Sequence, residues 1–319
     1  MNQQAVQLQI PSNKQLLQMF ESDCNDRGLT QDTARHYVSY VSRFLNYLEN
    51  RLVSVVEADK HAIHDYIRLR RVSVDAKTLQ KELAGISGFF EFLVFEDYVG
   101  RNPVPGVRKR YLHNYKKETE GDEESTRKLI SVEQMSLLIN SVLDTRDKAI
   151  LTLLAKTGVR RGELIAMDVD DIDWPEQSIT LKRKQFKKRS GRTVFFDDET
   201  ARLLRHWLHQ REDLRLETSA LFIGEKGDRL KRNGIYSMVT KYAERVGLHN
   251  PTLPNPEDHF TPHCFRHWFT THLRRAGMDR EFIKILRGDR RREAIDIYDR
   301  IDRDELRRAY LAYIPQLGL

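Results

Sequence analysis

The chain has 319 residues, 39% of them hydrophobic, which is enough for ordinary globular cores and suits two domains. Its 54 Lys and Arg outweigh 47 Asp and Glu, giving a net charge of +7 that points to a polyanionic partner. Two cysteines, Cys24 and Cys264, exclude a disulfide framework and suit a reducing cytosol. There is no apolar run of the ~18 residues that a membrane span needs and no secretory start, so a cytoplasmic protein is expected.

Residues 1–11 are polar and are expected to be loose. Ser12 followed by Gln15 is a capping-box signal, and a helix carrying Leu16, Leu17, Met19 and Phe20 should follow, ending before Gly28. Thr30 caps a second helix with Tyr37, Val41, Phe44, Leu45 and Leu48 at helical spacing. A third helix fits Lys60–Arg70 and a fourth fits Thr78–Phe95, with Leu79, Leu83, Ile86, Phe90 and Leu93 as its apolar stripe. Asn102-Pro103-Val104-Pro105-Gly106 should stop it. Residues 12–102 therefore form a compact helical domain in this reading, and 103–128 a linker whose Arg108 and Lys109 suit phosphate contacts.

Ser131 with Gln134 opens the second domain, 129–319, with another capping box. Helices are expected near 131–143, 145–157, 162–167, 198–217, 233–246, 263–275, 279–287 and 303–313. Between them, Ser178–Arg183 and Thr193–Phe196 are expected to pair as a hairpin around a Lys/Arg-rich turn. Gly277 falls where a left-handed cap would end the 263–275 helix. The fold class is mainly α, two helical domains, the second with a small antiparallel sheet.

Four segments carry chemistry. Thr157-Gly158 breaks a helix just before Arg160, and Glu163, three residues on, shares its face and is placed to hold its guanidinium. Seven of the eleven residues from Lys182 to Arg192 are basic: Lys182, Arg183, Lys184, Lys187, Lys188, Arg189 and Arg192. Pro262 suits a helix first turn, and the i, i+3 spacing of His263 and Arg266 aims both at one phosphate. Tyr298 follows Asp289 by nine positions. Arginine's planar fork meets two phosphate oxygens better than lysine's point charge, so this set suits metal-free attack on a phosphodiester.

The set resembles the tyrosine recombinase (phage integrase) family along the whole chain. The resemblance implies an N-terminal SAM-like core-binding domain and a catalytic domain that together clamp duplex DNA at specific recombination sites. It implies Tyr298 as nucleophile, Arg160 and Arg266 as phosphate clamps, and His263 as hydrogen-bond donor and proton acceptor. A hairpin lysine, Lys184 or in reserve Lys187, would protonate the leaving 5′-oxygen. Lys182, Arg183, Lys188 and Arg192 would contact DNA. The enzyme would act as a homotetramer through a four-way junction; the Arg307–Leu319 tail either packs on its own domain or, as the resemblance implies, docks on a neighbouring protomer. No cofactor is expected: no glycine-rich nucleotide loop is present, and of His259, His263, Cys264, His267 and His272 only His263 and His267 have i, i+4 spacing, with no adjacent Glu and no C-x-x-C pair to complete a metal set. Two features depart from the pattern. Arg287 stands at or beside the leucine position of Leu286-Arg287-Gly288-Asp289, and Asp289 stands where the family usually has histidine or tryptophan, as in archaeal branches. A carboxylate there repels phosphate unless paired, so Asp289 is expected to orient an arginine, with Arg287, Arg290 and Arg266 as candidates. The other classes that fit are a DNA-binding protein that has lost catalysis and a type IB topoisomerase-like enzyme.

Overall fold

The computed structural model describes residues 11–112, 128–182, 191–289 and 302–319. Expectations for 1–10, 113–127, 183–190 and 290–301 lie outside the described residues; these include Arg183, Lys184, Lys187, Lys188, Arg189, Arg290 and Tyr298. Internal contacts divide the chain into two units, Met1–Glu124 and Ser125–Leu319.

The first unit contains α1 (Asn13–Asp26), α2 (Gln31–Glu49), α3 (Lys60–Arg71), α4 (Ala76–Phe95) and α5 (Val104–Tyr111). Each of the first four begins at a side-chain cap. Ser12 and Gln15 form the expected box, while Thr30, Asp59 and Asp75 accept from first-turn amides. The stripe on α4 packs against α2, where Phe90 meets Phe44 edge-on with ring centroids 6.1 Å apart. Glu82, on α4, is fully buried but takes hydrogen bonds from Arg43 and Arg70, as a buried carboxylate must.

Helix α5 corrects the sequence reading, in which chain from 103 onward was a tether. Pro105 sits in its first turn, where a missing N–H costs nothing. Val104 and Val107 then bury one helical face in the core of this unit. Arg108 and Lys109 therefore stand on a packed helix rather than on a linker.

In the second unit the helices are α6 (Val132–Asn140), α7 (Thr145–Thr157), α8 (Arg161–Ala166), α9 (Asp198–Asp213), α10 (Arg232–Arg245), α11 (Pro262–Arg275), α12 (Arg280–Arg287) and α13 (Arg303–Tyr313). Helix α7 is buried on every side from Ala149 to Thr157, because α6, α9 and α11 pack around it. The expected hairpin is β2 (Ser178–Leu181) and β3 (Arg192–Phe195), antiparallel with Leu181 opposite Arg192. A two-residue strand the pattern did not announce, β1 (Ile172–Asp173), pairs with the outer edge of β2. Gly277 has φ +100° just past α11, in the left-handed region its position called for.

The tail lies on the second unit itself. Tyr310 is fully buried and donates to the Lys156 carbonyl. Glu199 collects the amides of Leu317, Gly318 and Leu319, and buried Lys156 reaches Asp197, Glu199 and the Pro315 carbonyl at 2.5, 2.5 and 2.7 Å. In this single chain, then, residues 310–319 complete the core of the unit that carries them. Of the two arrangements open from sequence, this single chain shows the tail packed on its own unit.

Candidate active site

Gly158 ends α7 in the left-handed conformation, with φ +57°, and turns the chain so that Arg160 becomes the N-cap of α8. Glu163 accepts from the Arg160 backbone N–H at 2.8 Å and from Arg160 Nη1 at 3.1 Å. The sequence spacing had put the carboxylate on the arginine's face, and there it holds both the helix start and the guanidinium.

Arg266 lies one turn into α11 and is 4% exposed. Its Nη1 donates to the Gly158 carbonyl at 2.9 Å and its Nη2 to the Arg287 carbonyl at 2.8 Å. Arg160 Nη1 reaches the same Arg287 carbonyl at 3.1 Å. Two arginines 106 positions apart in the sequence thus converge on the last turn of α12, whose carbonyls lack intrahelical donors and carry the negative end of the helix dipole. Burial, with the like charges of Arg160 and Arg287 beside it, pushes the Arg266 guanidinium down to about 9, so it stays charged at neutral pH.

Asp289 follows that turn. Its Oδ1 accepts from Arg266 Nη2 at 3.0 Å and Arg160 Nη2 at 3.3 Å. Its Oδ2 lies 3.2 Å from Arg287 Nε, an ion-pair contact without hydrogen-bond alignment. Arg266 and Arg287 were among the partners expected from sequence; Arg160 was not. The reason is that the Arg160 loop and the residue after α12 are brought together by tertiary packing alone.

Arg192 is a correction. It was grouped with the DNA-contacting residues of the basic hairpin, yet its side chain is 11% exposed and turned inward. Nη1 and Nη2 each donate to one oxygen of Glu163 at 2.9 Å, and Nε donates to the Leu286 carbonyl at 2.9 Å. It crosses Gly288, where a Cβ would lie 2.6 Å from Nη1. In a stretch with seven basic residues, residue type carries no signal that one of them faces in.

The other predicted residues go to different places. Lys182 is exposed at the end of β2 and pairs with Asp168 and Asp171, each at 2.8 Å. His263 is exposed in the first turn of α11. Arg108 and Lys109 belong to the first unit. Among the described residues, His259 and His272 turn to the backbone carbonyls of Leu253 and Ile130. Four guanidiniums, from Arg160, Arg192, Arg266 and Arg287, surround the two carboxylates of Glu163 and Asp289. The cluster keeps a positive surplus suited to a further anion.

Residues 127–305, more than half of the chain, match the phage integrase family, and residues 18–97 match the phage integrase N-terminal SAM-like domain. The chain belongs to the phage integrase family. Among its relatives, tyrosine recombinase XerC of Escherichia coli O139:H28 is 26% identical over 300 residues, covering 91% of this integrase-family chain and 93% of XerC. XerC of Herpetosiphon aurantiacus is 28% identical over 293 residues, covering 88% of each. The fold is that of XerH recombinase bound to palindromic difH substrate in a post-cleavage complex (TM-score 0.67, 18% identity, 96% of this chain and 82% of that one). It is likewise that of the Tn1549 transposon integrase in complex with transposon right end DNA (TM-score 0.65, 17% identity, 92% and 97%).

Proposed function

We propose that this integrase-family chain is a site-specific recombinase that cleaves and rejoins duplex DNA through a 3′-phosphotyrosine bond. The observation that carries the reading is the convergence of Arg160 and Arg266 on one helix end, within a cluster of net positive charge. Extra negative charge develops on the non-bridging phosphate oxygens in the transition state, and fixed guanidiniums stabilise it without reorganising.

In the proposed step the Tyr298 oxygen attacks phosphorus. A phenol normally titrates near ~10; nearby guanidiniums favour the phenolate, and His263 accepts the proton. The P–O5′ bond breaks, and the leaving oxygen takes a proton from Lys184, or from Lys187 in its place. The new ester retains the bond energy of the old one, so a 5′-hydroxyl from the exchanged strand reverses the step without ATP. Asp289 serves as a strut that fixes Arg160 and Arg266. The helical unit, including Arg108 and Lys109, and the basic hairpin with Lys182, Arg183 and Lys188 supply backbone contacts, which dominate affinity. Four protomers on two duplexes pass the strands through a four-way junction.

A second reading is favoured by Asp289 itself: a carboxylate within the arginine pair competes with phosphate, as in a DNA-binding protein that no longer cleaves. A nicked suicide duplex carrying the recombination site decides between them. The recombinase reading expects a covalent adduct that Tyr298→Phe abolishes; binding with no adduct overturns it. Relaxation of any supercoiled plasmid by a monomer would favour type IB topoisomerase chemistry instead.

A further inference from the structure

Arg192 has no part in the step just described, yet its side chain is hydrogen-bonded into the clamp. Its fork meets both oxygens of Glu163, and Glu163 in turn holds the backbone and guanidinium of Arg160. Its Nε grips the Leu286 carbonyl, one residue before the carbonyl shared by Arg160 and Arg266. One side chain thereby ties three segments: the first residue of β3, the first turn of α8 and the last turn of α12. In sequence it comes just after 183–190, which carries Lys184 and Lys187.

We infer that Arg192 is a positioning residue of the cleavage reaction, which sets the orientation of Arg160 through Glu163 and fixes the hairpin base to the clamp. The inference rests on the recombinase reading. Three features support it. The contact to Glu163 is bidentate, so it fixes angle as well as distance. Gly288 has φ +62° and no Cβ, which leaves room for the guanidinium to lie across the chain. Each of its three guanidinium nitrogens already donates to Glu163 or to the Leu286 carbonyl. Lysine would keep the charge but lose the fork and the Leu286 contact together.

The test uses the full chain, the nicked suicide duplex at saturating protein, and single-turnover rates of adduct formation. Arg192→Met should slow cleavage on the order of 10²-fold, the scale expected when a reacting group is misplaced by about 1 Å. Its affinity for the site and the salt dependence of that affinity should match wild type. A phosphate contact would instead weaken binding and lower the slope of log K against log salt by about 0.9. Acting through Glu163 predicts non-additivity: Arg192→Met with Glu163→Gln should cleave about as slowly as the slower single variant. If Arg192→Met does not fold, Arg192→Lys carries the same comparison, with a smaller loss of rate at unchanged affinity. Cleavage at the wild-type rate, a slope lowered by about one, or multiplying deficits in the double variant would each overturn the inference. Absence of an adduct from the wild-type chain would overturn the recombinase reading and this inference with it. An active wild type beside an equally active Arg192 variant sinks the inference alone.

Discussion

Gly158 allows the link between backbone conformation and the arginine clamp to be measured against an internal control. Alanine at 158 meets two obstacles. With φ +57°, the backbone is left-handed, which costs a non-glycine residue roughly 1–2 kcal/mol. A Cβ there would also lie 2.5 Å from Cδ1 and 2.8 Å from Cγ of Phe269, which is 1% exposed in the core and has nowhere to withdraw. Forcing a methyl group into a packed core costs a further ~1–3 kcal/mol. Gly247, in the same unit, has φ +71° but nothing within 4 Å of its Cβ position, so alanine there carries the backbone cost alone. For a unit of this size, 1 kcal/mol moves the melting temperature by roughly 2–4 °C. Gly247→Ala should thus lower the thermal midpoint by about 2–8 °C, and Gly158→Ala by about 4–20 °C, read by circular dichroism. Gly158→Ala should also slow adduct formation, since the Gly158 carbonyl holds Arg266 Nη1 at 2.9 Å. Equal melting shifts for the two alanines would refute the close-packing argument, and an unchanged cleavage rate would refute the link to Arg266.

Three further outcomes follow from the charged clusters. Burial alone would raise Glu163, but the hydrogen bonds and charges of Arg192 and Arg160 hold its carboxyl at about 2 against an ordinary 4.5. A depressed folded pKa gives stability that is present above about 4.5 and lost as pH falls toward 2, about 3 kcal/mol at most. Urea midpoints of wild type and Glu163→Gln should therefore converge between pH 5 and pH 2.5, and a constant gap would count against it. Lys156→Met removes the one cation facing Asp197 and Glu199 among the described residues and should destabilise the catalytic unit by roughly 3–5 kcal/mol in the same titration at pH 7; a loss under 1 kcal/mol would show that the carboxylates find other partners. Asp289→Asn keeps the shape and removes the charge that competes for Arg160 and Arg266. It should bind inorganic phosphate at least several-fold more tightly by calorimetry while cleaving more slowly; faster cleavage would mean that Asp289 obstructs the site rather than bracing it.

Local signals announced most of the fold. Ser12 with Gln15, Thr30, and Ser131 with Gln134 mark helix starts because capping is a contact between residues two or three apart. Helix α5 escaped notice because Pro105 and Gly106 look like breakers until a first-turn proline is weighed against the burial of Val104 and Val107. Arg160, Glu163, Arg266 and Asp289 were legible as types in order. The pairings of Glu163 with Arg160 and of Asp289 with Arg266 and Arg287 were legible too; what the sequence withheld were the partners of Arg192, which lies 29 positions from Glu163 and 94 from Leu286. The tail was open from sequence for a similar reason: Tyr310, Ile314 and Leu317 are as apolar as an interface or a core would need, and only their tertiary partners, such as Lys156 beneath them, distinguish the two.

On the recombinase reading a phosphate approaches this cluster, and the contacts of Asp289 bear on why a carboxylate is tolerable there. Arg266 Nη1 is held by the Gly158 carbonyl, and Arg160 Nη1 by Glu163 and the Arg287 carbonyl. Only the Nη2 groups of the two arginines meet Asp289 Oδ1. A guanidinium has five N–H donors in a rigid fork, so a side chain anchored through one edge still presents the rest. With four guanidiniums to two carboxylates, an entering phosphate finds surplus positive charge even if Asp289 stays in place. Its repulsion from Asp289 is then offset by the arginines that Asp289 immobilises, whose alternative is a pair of like charges pushing apart. The same carboxylate that weakens the field at the phosphate also fixes the donors that shape it, and donors aligned before charge develops stabilise it without reorganising.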